Sequence, residues 1–261
     1  MSAVRYDEIG VGYNTTRAAD PYLTSRLFDL LQAQPGKLYL DIGCGTGNYL
    51  TSLSELGLSF IGIDPSEVML QQARSKGADA TFICAKAESI PLPDAHLDGA
   101  IAMVTLHHWD DLQTGLSEVC RVLKPGSRFV CFSFTPEQSQ SYWLNHYFPV
   151  TLSRTYFITP HQQDMEQMLL RAGFSSVSTE KYFVHDDLQD HFLMSSKYKP
   201  ERYLISEMRN NTSAFTVFAD QVEVNAGLRA LEGDINSGKI NEIIQSHEND
   251  LGDYLFFVAE R

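Results

Sequence analysis

The stretch LYLDIGCGTGNYL, residues 38–50, decides the reading of this chain. A short apolar run ends at Asp41 and Ile42, glycines alternate at 43, 45 and 47, and apolar residues resume at Tyr49 and Leu50. Glycines spaced this way after a strand make a turn whose backbone can approach a ligand, with the unpaired N–H groups of the next helix close by. Working outward, residues 58–63, 80–85, 99–105 and 127–134 are short and rich in Ile, Val, Leu and Phe, as strands covered on both faces are. Helical patterns separate them. Ser66 and Gly77 bracket one over 66–76; Leu112, Leu116, Val119 and Leu123 recur at helical spacing over 111–123, until Lys124-Pro125-Gly126 stops the helix. This alternation predicts an α/β fold, a doubly wound and mostly parallel sheet with right-handed crossovers. The glycine turn follows the first of these strands, where open α/β sheets place ligands.

The 261 residues, 43% of them hydrophobic, suit a single domain over 1–261. Residues 1–35 read as N-terminal lid helices and 36–134 as the ligand-binding core. The aromatic stretch YWLNHYFPV marks a cap insertion over 137–158, and a second, mostly helical one covers 185–250. Between them, 160–172 is an amphipathic helix closed by Gly173 and 176–184 a strand; DYLFFVAER supplies a final strand. A net charge of −13 without a Lys/Arg cluster argues against nucleic acid or an anionic membrane as partner. No apolar run approaches the roughly 18 residues of a membrane span, and no basic leader precedes the first apolar segment. Four cysteines without a C-x-x-C pair argue against a zinc knuckle or a disulfide framework and point to the cytoplasm.

Two cofactors use such turns. A dinucleotide turn runs G-x-G-x-x-G, whereas here the third glycine comes one residue early. Asp41 separates the two further, because a carboxylate at the end of the first strand would repel a pyrophosphate. It suits a ligand carrying an ammonium and a sulfonium, and S-adenosylmethionine is such a ligand. Asp64, closing the second strand about twenty residues on, can accept bonds from both ribose hydroxyls of either cofactor.

Several motifs then occur in order: D-x-G-x-G-x-G at 41–47, the acid Asp64, AESIPLPD at 87–94, LHH at 106–108 and RVLKPG at 121–126. Over residues 38–134 the chain resembles the class I S-adenosylmethionine-dependent methyltransferases, nearest the small-molecule branch related to the quinone-biosynthesis enzymes. The resemblance implies a seven-stranded, Rossmann-like sheet whose last strand is antiparallel, a place DYLFFVAER fits. It implies that Asp41, Gly43 and Gly45 line the methionine end of the cofactor and that Asp64 holds the ribose. Pro65 and Met69 would lie near the adenine, Ala87 and Glu88 at its polar edge, and Val104 under the cofactor. One departure stands out: the family commonly has an acid where this chain has Lys86, and a lysine cannot accept from the adenine amino group. Either Glu88 takes that bond or Lys86 turns to solvent. In the lead-in YDEIGVGYNTTR, Tyr13 and Arg17 match residues that cover the cofactor in relatives, the arginine meeting its carboxylate, with Tyr6 a further candidate. Their alternative role is to pack the first helix on the sheet.

Methyl transfer needs alignment and exclusion of water more than a side-chain base. His107 and His108, after the fourth strand, are candidates for positioning the acceptor or for a general base. His185 with Asp186 or Asp187 could form a base and its orienter, or Asp186 could cap a following helix. Trp143 and Tyr147, with Tyr142 and Phe148, would line the acceptor pocket; aromatic residues at helical spacing also read as plain core. The cap segments are similar to those of a group of bacterial methyltransferases with W-x-x-x-Y-F-P and H-D motifs, which implies no acceptor. No metal ligand set is recognisable. The reading is an enzyme methylating a small-molecule acceptor, with a non-catalytic cofactor-binding protein and a nicotinamide-dependent oxidoreductase as the alternatives.

Overall fold

The computed structural model describes residues 16–78, 80–210 and 212–261; Tyr6 and Tyr13 lie outside them. Seven strands form one sheet: β1 (Leu38–Ile42), β2 (Ser59–Asp64), β3 (Ala80–Cys84), β4 (Leu97–Met103), β5 (Leu123–Ser133), β6 (Ser176–Tyr182) and β7 (Tyr254–Glu260). Their order is β3-β2-β1-β4-β5-β7-β6. The first five pair in parallel, while β7 is antiparallel to both β5 and β6. The fold is the doubly wound, mostly parallel sheet the sequence predicts. Its order reverses between β1 and β4, so the carboxyl ends of these strands leave a crevice there.

Helices α1 (Pro21–Leu31), α2 (Asn48–Ser54), α3 (Glu67–Ser75) and α4 (Leu112–Val122) belong to this parallel half. Three of the four start on a side-chain cap. Asp20, Ser66 and Asp111 cap α1, α3 and α4 by accepting the backbone N–H three residues on, from Leu23, Met69 and Thr114. Helix α4 ends at Val122, earlier than Lys124-Pro125-Gly126 suggested, because Leu123 already pairs with Leu97 of β4.

Between β5 and β6 lie α5 (Pro136–Ser141), α6 (Pro149–Ser153) and α7 (Gln162–Ala172). Between β6 and β7 lie α8 (Ser206–Asn210), α9 (Ser213–Thr216), α10 (Gln221–Ser237) and α11 (Ile240–Ser246). Residues 185–205 are more irregular than the mostly helical segment expected. His185 begins a turn in which Leu188 N–H bonds its carbonyl, so Asp186 caps no helix.

Alternate strand residues enter two cores. Tyr39 packs with α1, α2 and the cap aromatics, whereas Leu40 and Ile42 pack with α4 and α7.

Candidate active site

The glycine turn is tied to the neighbouring strand by its backbone: Gly43 and Cys44 donate to the Ile63 carbonyl at 2.8 and 3.0 Å. Gly43, Gly45 and Gly47 have φ of 67°, 52° and 71°, a region costly for other residues. Space makes the same demand at Gly43. A Cβ there would lie 2.1 Å from Thr105 Oγ1, so the turn closes directly on the end of β4. A Cβ on Gly47 would lie 3.3 Å from the Ala73 Cβ of α3. Although it comes one residue early, the third glycine still serves close packing.

Asp64 is clamped by the same turn. Gly45 N–H donates to its Oδ2 at 2.9 Å and Ser66 N–H to its Oδ1 at 2.8 Å. Burial raises its pKa, and these two N–H groups pull it back. Each oxygen keeps a second acceptor direction, so a fixed carboxylate in the cavity wall can receive a pair of hydroxyls. Asp41 sits deeper. It is buried, and burial together with the Asp64 charge pushes its pKa to about 8. Its neighbours Ile42 and Gly43 line the cavity and Asp41 does not, so it lies behind the wall. A buried acid in this condition favours a nearby cation, which would let it ionise.

One cavity collects most of the other candidates. Arg17, Gly43, Gly45, Asp64, Pro65, Met69, Ala87, Glu88, Val104, His107 and His108 all line it. Val104 has φ of 50°, an outlier for a β-branched residue, and its N–H is fixed to the Phe132 carbonyl at 2.8 Å. Lys86, largely exposed, pairs with Asp110 at 2.7 Å; Glu88 accepts from the Asp111 N–H at 3.0 Å.

The His107 and His108 rings lie 3.8 Å apart between centroids. Burial, with Arg17 nearby, pulls His107 down to about 4. Burial and His107 take His108 well below its ordinary value. Two neutral imidazoles result, and such weak bases suit hydrogen bonding and shape better than proton abstraction at neutral pH. The Nδ1 of His107 is buried without a hydrogen-bond partner among the described residues.

Lys86, Trp109 and Asp110 also border the cavity, and the opposite side is largely apolar: Phe134, Ile158, Phe192, Leu193, Val217 and Phe218, with hydroxyls from Thr155, Thr212 and Ser213. Trp143 and Tyr147, expected here, are instead packed in the cap core. The Trp143 ring nitrogen donates to the Lys197 carbonyl, its face meets Tyr203, and the Tyr147 hydroxyl donates to Asp234. Their helical spacing turned them to the cap's own interior. His185 is also away from the cavity, exposed, its ring tilted against Tyr22 and edge-on to Tyr182 with centroids 5.3 and 5.9 Å away. Sequence reasoning missed Thr105, and the wall from 155–158, 192–193 and 212–218, whose residues carry no local signature.

The geometry, a glycine turn, a clamped acid on β2 and a buried acid on β1 beside a mixed cavity, fits a nucleoside with a cationic tail. Comparison with known proteins agrees. Residues 40–131 match the family model described as a methyltransferase domain. An O-methyltransferase, rstn1, of Aspergillus nomiae is 33% identical over 46% of this chain and 60% of its own length. A 24-methylenesterol C-methyltransferase 2 of Oryza sativa subsp. japonica is 35% identical over 42% of this chain and 32% of its own length. The matches thus span less than two thirds of these curated relatives. Over nearly the whole fold, a "Putative methyltransferase from antibiotic biosynthesis pathway" of Anabaena variabilis is 30% identical, covering 94% of this chain and 99% of that one with a TM-score of 0.84. This chain belongs to the class I S-adenosylmethionine-dependent methyltransferases, Rossmann-like enzymes whose cofactor is S-adenosylmethionine.

Proposed function

We propose that the protein methylates a small, largely apolar acceptor held against the wall formed by Phe134, Ile158, Phe192 and Val217. The observation that carries this reading is the continuity of one cavity from Asp64 and the glycine turn to that apolar wall. In this reading Asp64 receives the ribose hydroxyls, Met69, Pro65 and Ala87 flank the adenine, and Asp41 faces the cationic end from behind Gly43. Lys86 is engaged by Asp110, leaving Glu88 beside the adenine edge. Residues 1–35 act as a lid, 36–134 as the cofactor core, and the segments 137–158 and 185–250 as the cap over the acceptor.

Bound S-adenosylmethionine supplies a methyl group on a sulfonium. The chain itself orients and dries the site. Val104, fixed at the end of β4, sets the floor. The neutral His107 and His108 shape the approach and can accept a hydrogen bond from an acceptor hydroxyl. Apolar side chains exclude water, and alignment of this kind is worth up to roughly 7–11 kcal/mol. The relatives named above include an oxygen and a carbon methyltransferase by name, so the methylated atom is a matter for assay.

Calorimetric titration with S-adenosylhomocysteine, with NAD and NADP in parallel, tests the cofactor. Transfer of a labelled methyl group to a panel of phenols, carboxylic acids and apolar alkenes then tests the acceptor class. Binding of NAD without response to S-adenosylhomocysteine would overturn the reading. Transfer only to strongly charged acceptors would overturn the apolar assignment.

A further inference from the structure

We propose that Asp190 is a positioning residue: it holds the Arg17 guanidinium in the cavity wall to meet the carboxylate at the cofactor's amino-acid end. The proposal rests on the cavity's being the S-adenosylmethionine site. Asp190 lies 173 positions from Arg17, in the irregular segment after β6, and its side chain is 2% exposed against 12% for Arg17. Arg17 donates from Nε to Oδ1 at 2.5 Å and from a terminal nitrogen to Oδ2 at 3.2 Å. Tyr49, in the first turn of α2, donates its hydroxyl to the same Oδ2 at 3.1 Å.

Backbone bonds reinforce the arrangement. His191 N–H meets the Thr16 carbonyl at 3.0 Å, Gln189 N–H meets Asp20 at 3.1 Å, and the Asn48 amide holds the Arg17 carbonyl at 3.1 Å. Asp190 therefore references Arg17 to the helix that leaves the glycine turn. A buried carboxylate is costly unless several donors satisfy it, and here three do.

A clasp that only joined two segments would not need its cation in a ligand cavity, yet Arg17 lines one. Lys86, the other cation in that wall, is mostly exposed and paired with Asp110. A guanidinium with its plane fixed by one carboxylate loses little further freedom on meeting a second, since its fork is already oriented. Phe192 and Leu193, two and three positions past Asp190, line the acceptor side, so the same clasp helps set that wall.

The test uses two probes on the full chain. S-Adenosylhomocysteine carries the amino-acid end; 5′-methylthioadenosine keeps the nucleoside and thioether but lacks that end. Asp190→Asn should weaken the first roughly 10- to 100-fold, the loss for a hydrogen-bonded charge, and leave the second unchanged. Equal loss of both probes would reveal a merely structural clasp and overturn the proposal. Unchanged or tighter S-adenosylhomocysteine binding would overturn it too, the latter because Asp190 would then be competing for Arg17. Should Asp190→Asn fail to fold, Tyr49→Phe removes one donor and keeps the ion pair. It should show the same selectivity at smaller amplitude, and no selectivity would count against the proposal. A wild type that binds 5′-methylthioadenosine or nothing, but not S-adenosylhomocysteine, overturns the cofactor reading itself and this proposal with it.

Discussion

Asp64 and Asp41 are both buried acids, yet their surroundings set them different tasks. The two N–H groups on Asp64 favour its charged form, so Asp64→Ala should weaken S-adenosylhomocysteine binding roughly 10- to 100-fold in calorimetry. Asp41 has its folded pKa raised from 3.8 to about 8. A raised pKa means the folded form binds the proton better than the unfolded one, so this contribution to stability is full below about pH 4 and is lost as pH rises through about 8. A cationic ligand reverses that preference and lowers the pKa. Binding at pH 7 should therefore release a proton, seen as an enthalpy that varies with the ionisation heat of the buffer, and Asp41→Asn should abolish the variation. His107 has the opposite sign: its folded pKa falls from 6.5 to about 4, so its contribution is full above pH 6.5 and is lost as pH falls toward 4. The placement of Gly43 and Asp64 at the cavity was legible in the sequence because each depends on a local turn. Arg17 and Asp190 meet across 173 positions, and nothing near either residue announces the other.

At the scale of elements, α10 shows how a contact overrules propensity. Replacing a helical glycine by alanine ordinarily stabilises by about 1 kcal/mol. At Gly227 the new Cβ would lie 2.4 Å from the Tyr147 carbonyl oxygen and 2.6 Å from the Phe148 ring. Gly227→Ala should instead destabilise by roughly 1–3 kcal/mol, the cost of overpacking, read from the denaturant midpoint at constant slope. Packing within the cap also explains why Trp143 and Tyr147 misled a reading for pocket residues: their side chains meet Lys197, Tyr203 and Asp234. A helical spacing of aromatics says that one face is buried, and it cannot say whether a ligand or another helix buries it. Helix ends were read to within one or two residues because caps and glycines mark them, whereas β5 begins at Leu123, four residues before the apolar run at 127–134, a start decided by pairing between Leu123 and Leu97.

Over the whole molecule, one cavity is bounded by both the parallel half of the sheet and the segments after β5 and β6. A ligand there stabilises both together. At a concentration one hundred times its dissociation constant, S-adenosylhomocysteine should add about 2.7 kcal/mol to the unfolding free energy. Thermal unfolding should stay a single transition while shifting upward; a split into two transitions would show that the ligand secures only one part. Sheet topology carries a further consequence, for how the chain reaches this state. Strand β7 sits between β5 and β6, so neither has its proper neighbour until residues 254–260, far downstream of both, find their place. Until then two strand edges are open to the wrong partners. The contacts that close the sheet are distant in sequence, which slows folding, and any chain caught with the sheet incomplete exposes edges that favour aggregation.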